Sequence, residues 1–387
     1  MRIVVTGLIA TYPVGGVAWD YLQYVHGLVA LGHDVTYLED TGQWVYSPRQ
    51  QTFTEDCSEN LAYLAAVLRR GGAPVPWAFR DAAGLLHGME EADLHRRCRD
   101  TDLFLNVSGC CWLRDAYRRA RVAAYVDTDP CYSQAKLAAA DAGTADEHVQ
   151  YSASMIRRHN VFFSLAENIG RPECTIPTAG LTWHPTRHPI VLADWPLVPA
   201  PAGGAFTTVM SWKTDVTPPA VGGRVYGGKD VEFARVRALP ERTRATLEIA
   251  LAGAAPIAEL RAAGWRVVDA RAVSATPEAY QEYIAGSRGE LSVAKEAYVA
   301  TRSGWFSTRS ASYLAMGRPV VIQDTGLAAH YPIGDAILLF VDTEEAAAAL
   351  AAAERDYERR CDAARALAAS AFDSGSILRR LLAEAGC

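Results

Sequence analysis

Apolar and polar positions alternate along this chain in two periods. Short β-branched runs such as Ile3-Val4-Val5-Thr6 read as buried strands. Longer stretches such as residues 17–31 carry apolar side chains at helical spacing and close on Gly32. Residues 33–39 predict a second strand, ending in the acid Glu39. Strand, glycine-containing loop, helix and strand make a βαβ unit of a parallel sheet. The alternation continues with helices predicted at 56–70, 112–121 and 151–159, and strands at 102–107, 121–126 and 161–165. Residues 196–204, PLVPAPAGG, have the composition of a linker. The pattern then restarts, with strands at 206–210, 247–251 (where the Ala-rich content also allows a helix), 265–268, 319–322 and 336–341 and helices at 256–263, 276–284, 311–316, 343–359 and 375–385.

A length of 387 residues is long for one core and implies two domains. The composition, 50% hydrophobic and 21% charged, is that of a globular protein. A net charge of −6 gives no reason to expect nucleic acid or an anionic membrane as partner, so any anion site must be local. The eight cysteines form no Cys-x-x-Cys pair and are expected to be reduced, in a cytoplasmic protein. Residues 1–5 enter a strand at once, with no apolar leader, and no apolar run approaches a membrane span.

The stretch from Glu290 to Gly326 carries the densest chemistry. Small and hydroxylic residues cluster at 303–310, a helix follows, Gly317 suits a left-handed cap, and a buried strand runs into Gln323-Asp324-Thr325-Gly326. A helix that starts after such a cluster offers free amides and a positive dipole end. With Ser307, Thr308, Arg309 and Ser310 beside it, this is an expected phosphate site. The strand that follows ends where α/β sheets bind ligands.

Two further features belong with it. Asp127 and Asp129, before Pro130, stand at the end of a parallel strand, where carboxylates can orient hydroxyls or take a proton. The competing reading is an Asp-Pro turn capped by Asp129. Gln134 could add a donor to the same cleft. His184 and His188 stand four apart, but Pro185 and Pro189 exclude a zincin-like helix, and no metal is expected. The first loop lacks Gly-x-Gly-x-x-Gly, which disfavours a nicotinamide cofactor.

Gly317-Arg318-Pro319-Val320-Val321 and the turn Ser303-Gly304-Trp305-Phe306-Ser307-Thr308 resemble the donor-binding segment of GT-B fold glycosyltransferases, the turn being similar to that of the natural-product branch. Pro13-Val14-Gly15-Gly16 resembles the Gly-Gly loop of the retaining members. The resemblance implies two Rossmann-like parallel-sheet domains facing across a cleft: residues 1–195 on the acceptor side, 205–370 for the donor, and 371–387 as a terminal helix crossing back to the first domain. It implies transfer of a hexose or deoxysugar from a nucleoside diphosphate sugar to a small-molecule acceptor, with no further cofactor. The donor would meet Gly15, Gly16, Lys213 or Lys229, Ser307, Thr308, Arg309, Ser310, Gln323, Asp324, Thr325 and Gly326. Asp20, Asp127 and Asp129 are the candidates for a base. The family's ribose-binding glutamate has no counterpart: Ser310 or Ser312 stands there. A nucleotide-sugar epimerase of the same fold and a non-catalytic nucleotide-sugar-binding partner are the alternatives.

Overall fold

The computed structural model describes every residue except 72–73, 200 and 214–216; the expected linker 196–204 thus lies partly outside the described residues. Among these residues the chain builds two parallel sheets in sequence order. The first has eight strands. Trp183–Pro185, Val161–Ser164, Val122–Asp127, Leu103–Val107, Arg2–Thr6, Asp34–Asp40 and Trp77–Arg80 lie side by side in parallel, and Leu86–His87 adds an antiparallel edge. The apolar runs sit in the middle, paired Ile3 with Val35 and Val5 with Leu105. Helices cover both faces, which is why these strands read as continuous apolar segments rather than alternating ones.

The second sheet has six parallel strands, in the order Arg266–Asp269, Thr246–Ala252, Ala205–Ser211, Gly289–Ser292, Val320–Gln323, Ile337–Phe340. Chain order reverses between Ala205–Ser211 and Gly289–Ser292. In doubly wound sheets ligands bind outside the carboxyl ends at such a reversal. Helix Thr308–Ala315 lies against this point and ends as its glycine requires: Gly317 takes φ 67°, and Arg318 N returns to the Tyr313 carbonyl at 2.9 Å.

The C-terminal helices bind the halves together. Helix Ser374–Glu384 packs on helix Gly15–Ala30 of the first domain, burying Leu378 and Leu381. Trp19 packs against Trp195, with ring centroids 5.0 Å apart and the rings tilted by 48°. One apolar cluster therefore runs from Ile3 and Leu22 through these tryptophans to Leu314, Leu367 and Leu378.

Two predicted helices are corrected. Residues 112–121 hold only a short 3-10 turn, Tyr117–Arg119, because Arg114 and Tyr117 are drawn onto the buried Asp40 carboxylate at 2.5 and 2.7 Å. The long helix at 343–359 is two helices, Thr343–Glu354 and Tyr357–Ala371, broken where Asp356 takes φ 53°. Arg360 secures the break by donating to the carbonyls of Arg355, Gly334 and Asp335.

Candidate donor and acceptor site

The first domain contributes the helix Gly15–Ala30, which leaves the carboxyl end of strand Arg2–Thr6 through the loop 7–14. Glu39 shapes that loop. Its buried carboxylate accepts from Ala10 N at 2.7 Å, Thr11 N at 3.0 Å and Tyr37 Oη at 2.6 Å. Burial pushes its pKa up to about 7. The glycines that begin the helix touch the second domain directly. Gly15 N donates to the Ser274 carbonyl at 2.6 Å and Gly16 N to Ser274 Oγ at 3.0 Å. A Cβ on Gly15 would stand 2.1 Å from the Thr276 carbonyl oxygen, so only glycine fits. The expectation that these amides face donor phosphates is corrected: both are occupied by the interdomain contact.

One turn further on, the Asp20 carboxyl reaches the Thr308 hydroxyl across the cleft, within the fields of Arg309, Lys229 and Asp129. Burial raises its pKa from the ordinary carboxylate value to about 7, which the Thr308 hydroxyl opposes. Thr308 also meets buried His188, Oγ1 to Nδ1 2.7 Å, and burial pushes His188 down to about 3, so its ring is neutral.

The two strand-end aspartates part company. Asp127 is buried and accepts from Gln134 Nε2 at 2.7 Å, Ser164 Oγ at 2.8 Å and Ser133 Oγ at 3.1 Å. Burial lifts it to about 6. With both oxygens occupied, Asp127 braces the strand end and presents no open face to an acceptor. Gln134 likewise serves Asp127 rather than the cleft. Asp129 is exposed, and its Oδ1 takes Lys295 Nζ at 2.5 Å and the Tyr298 hydroxyl. Burial would raise its pKa, but Lys295 outweighs that and holds it below the usual range. Asp129 does not cap the following helix; Cys131 occupies that position.

In the donor stretch, Ser307 caps helix Thr308–Ala315 by accepting from Arg309 N at 3.2 Å. The Arg309 guanidinium turns inward. It donates to Glu290 Oε1 at 2.5 Å, the Val209 carbonyl at 2.7 Å and Ser292 Oγ at 2.5 Å. The expected free arginine is thus one half of a buried ion pair. Ser307, Ser310, Gln323 and Thr325 line a small cavity of about 10 Å³ with Ser292 and Trp305. Gln323 is held at both ends, accepting from Ala294 N at 3.1 Å and donating to Glu232 at 2.5 Å. Asp324 accepts from Gly326 N at 2.8 Å and Leu327 N at 3.1 Å, fixing a turn in which Gly326 takes φ 96°.

The two lysine candidates separate clearly. Lys213 is 67% exposed and lies 3.6 Å from the Asp230 carboxylate, on the surface. Lys229 lies partly buried in the cleft, and burial, with Arg309 and Lys295 nearby, lowers its pKa to about 7. It has neither a hydrogen bond nor an ion pair among the described residues. Arg309 is matched by Glu290 and Lys295 by Asp129, so Lys229 is the unmatched cation of the site.

Lys295 itself escaped the sequence reading. A lone lysine beside an alanine has no motif; its place just beyond strand Gly289–Ser292, at the sheet reversal, was the available signal.

A family model described as glycosyl transferase-like matches residues 233–384. No curated protein matches the chain. Solved structures resemble it along its whole length. AviGT4, a glycosyltransferase involved in avilamycin A biosynthesis, is 15% identical with a TM-score of 0.52, covering 99% of this chain and 96% of that one. Anabaena Alr3699/HepE in complex with UDP-glucose is 12% identical with a TM-score of 0.56, covering 98% of each chain. An alpha-glucosyltransferase in complex with UDP and a 13-mer DNA containing an HMU base is 10% identical with a TM-score of 0.59, covering 100% of each. The chain has the GT-B fold that these glycosyltransferases share, and the match to the glycosyl transferase-like family model lies in its second half, at residues 233–384.

Proposed function

We propose that the chain transfers a sugar from a nucleoside diphosphate sugar to a small hydroxyl-bearing acceptor. The observation that carries this is the unmatched Lys229 ammonium, set in the cleft between Arg309 and Lys295. A diphosphate supplies the missing negative charge there, and the positive end of helix Thr308–Ala315 adds to the attraction. The sugar then lies on the side of Gln323 and Thr325, near Ser307 and Ser310.

In this reading the acceptor oxygen attacks the anomeric carbon as the bond to the diphosphate oxygen breaks. The acceptor proton passes to Asp20, and the leaving electron pair stays on the diphosphate, stabilised by Lys229. A base with a pKa of about 7 suits that task near neutral pH. Such a single displacement inverts the anomeric centre. The Gly15-Gly16 amides, the feature that favoured retention, are taken by Ser274.

A small natural product is the acceptor we favour. AviGT4 is described in that setting, and a net charge of −6 does not suit the DNA seen with another neighbour. No described helix is long and apolar enough to cross a membrane. We place the chain in the reducing cytoplasm, a reading supported by eight unpaired cysteines.

The test is release of nucleoside diphosphate from a panel of nucleotide sugars, with and without acceptors. Acceptor-dependent release is expected. Isomerisation of the donor alone would indicate an epimerase, and binding without turnover a non-catalytic partner.

A further inference from the structure

A second cluster of reactive side chains lies at the antiparallel edge of the first sheet, outside the machinery above. Cys57 stands at the start of helix Ser58–Leu68. Asp81 and His87 come from the hairpin joining Trp77–Arg80 to Leu86–His87. One ligand atom from each of the three lies within 4.8 Å of the other two. His87 Nε2 is 2.9 Å from Asp81 Oδ2 and 3.9 Å from Cys57 Sγ.

These separations can be compared with a coordination sphere. Zinc–sulfur bonds of about 2.3 Å and zinc–nitrogen or –oxygen bonds of about 2.0–2.2 Å set tetrahedral ligand atoms roughly 3.4–3.6 Å apart. The observed 2.9 and 3.9 Å straddle that range, so these two pairs need shifts of about half an ångström to meet one ion, and the third pair lies within 4.8 Å.

Each group is held by its own framework. Asp81 Oδ1 accepts from Leu85 N at 2.9 Å, which leaves Oδ2 facing the cluster. His87 is fixed by its ladder pairing with Phe79, and its ring leans on the Phe79 ring. Cys57 is fixed by the helix it opens, its carbonyl accepting from Leu61 N at 2.8 Å. The thiol is buried, whereas Asp81 and His87 keep side-chain exposures of 17% and 25%. One side thus stays open for a water as fourth ligand. Binding as a thiolate would release the Cys57 proton to solvent.

We propose that Cys57, Asp81 and His87 bind a divalent cation of the zinc class. Thiolate, imidazole and carboxylate are the ligands zinc takes. The ion would tie the start of helix Ser58–Leu68 to the hairpin. Asn60, on the first turn of that helix, donates to the carbonyls of Ala10 at 2.7 Å and Tyr46 at 3.0 Å. The ion therefore braces the loop that leads into the cleft.

The full chain, treated with chelator and titrated with Co²⁺ alone, gives the test. One equivalent should bind with a thiolate-to-cobalt charge-transfer band that Zn²⁺ displaces. Cys57→Ser should abolish the band, and Cys387→Ser should leave it unchanged. His87→Ala should weaken binding by more than the ~10–100-fold that losing an outer-shell partner costs. A titration without a thiolate band, a band that survives Cys57→Ser, or wild-type affinity in His87→Ala would overturn the site and reduce the cluster to a His–Asp pair beside a packed thiol.

Discussion

Asp129 of the first domain closes on Lys295 of the second, Oδ1 to Nζ 2.5 Å, and the pair spans the cleft. The Asp129 side chain is 56% exposed, so the pair is worth about 1 kcal/mol or less. Asp129→Asn frees Lys295 for an incoming anion. Nucleoside diphosphate affinity should then hold or rise, by up to about fivefold. Weaker binding by calorimetry would show that Asp129 itself contacts the ligand.

Arg309 and Glu290 are buried together, and Arg309 also supports Val209 and Ser292. Arg309→Met strands a buried carboxylate, which costs about 3–5 kcal/mol. The expected result is a large loss of stability in denaturant unfolding, partly restored by adding Glu290→Gln. A variant of wild-type stability with weakened nucleotide binding would return Arg309 to the ligand.

The pH dependence follows from two shifts toward the same value. Asp20 is raised to about 7 by burial, so it is protonated and idle as a base below that pH and ionised above it. Lys229 is lowered to about 7 by burial, so it is charged below that pH and neutral above it. The kcat/KM profile, which reports the free enzyme, should be a narrow bell centred near pH 7. The alkaline limb of kcat should lie higher, because a bound diphosphate raises the Lys229 pKa. Asp20→Asn should remove the acidic limb and lower turnover by about 10²–10⁴-fold. A profile whose acidic limb survives Asp20→Asn would assign the base elsewhere.

The fold was largely legible because both sheets are covered on two faces. Their strands are continuous apolar runs bounded by glycine and polar turns, as at Val320–Gln323 after Gly317. The approximate position of the site was legible for the same reason, since sheet order places ligands at known strand ends. What each polar residue does there was less legible. Ser307 and Thr308 begin the helix as their residue types suggest, but nothing local says that Arg309 turns toward Glu290. Asp127 and Asp129 stand two apart, yet one is buried by Ser133, Gln134 and Ser164 while the other meets a lysine from the second domain. The misread helices fail likewise: Asp40 unwinds residues 112–121, and contacts of Arg360 fix the break at Asp356. In each case the deciding partner is remote in sequence.

The central claim is that Lys229 grips the donor diphosphate, and calorimetry of Lys229→Met against nucleoside diphosphate tests it most directly. A charge-assisted contact of about 1.5–3 kcal/mol predicts a roughly ten- to hundredfold loss of affinity with the fold intact. Above pH 7 the wild-type protein should also take up protons on binding, and the variant should not. Unchanged affinity in a folded Lys229→Met protein would contradict the account.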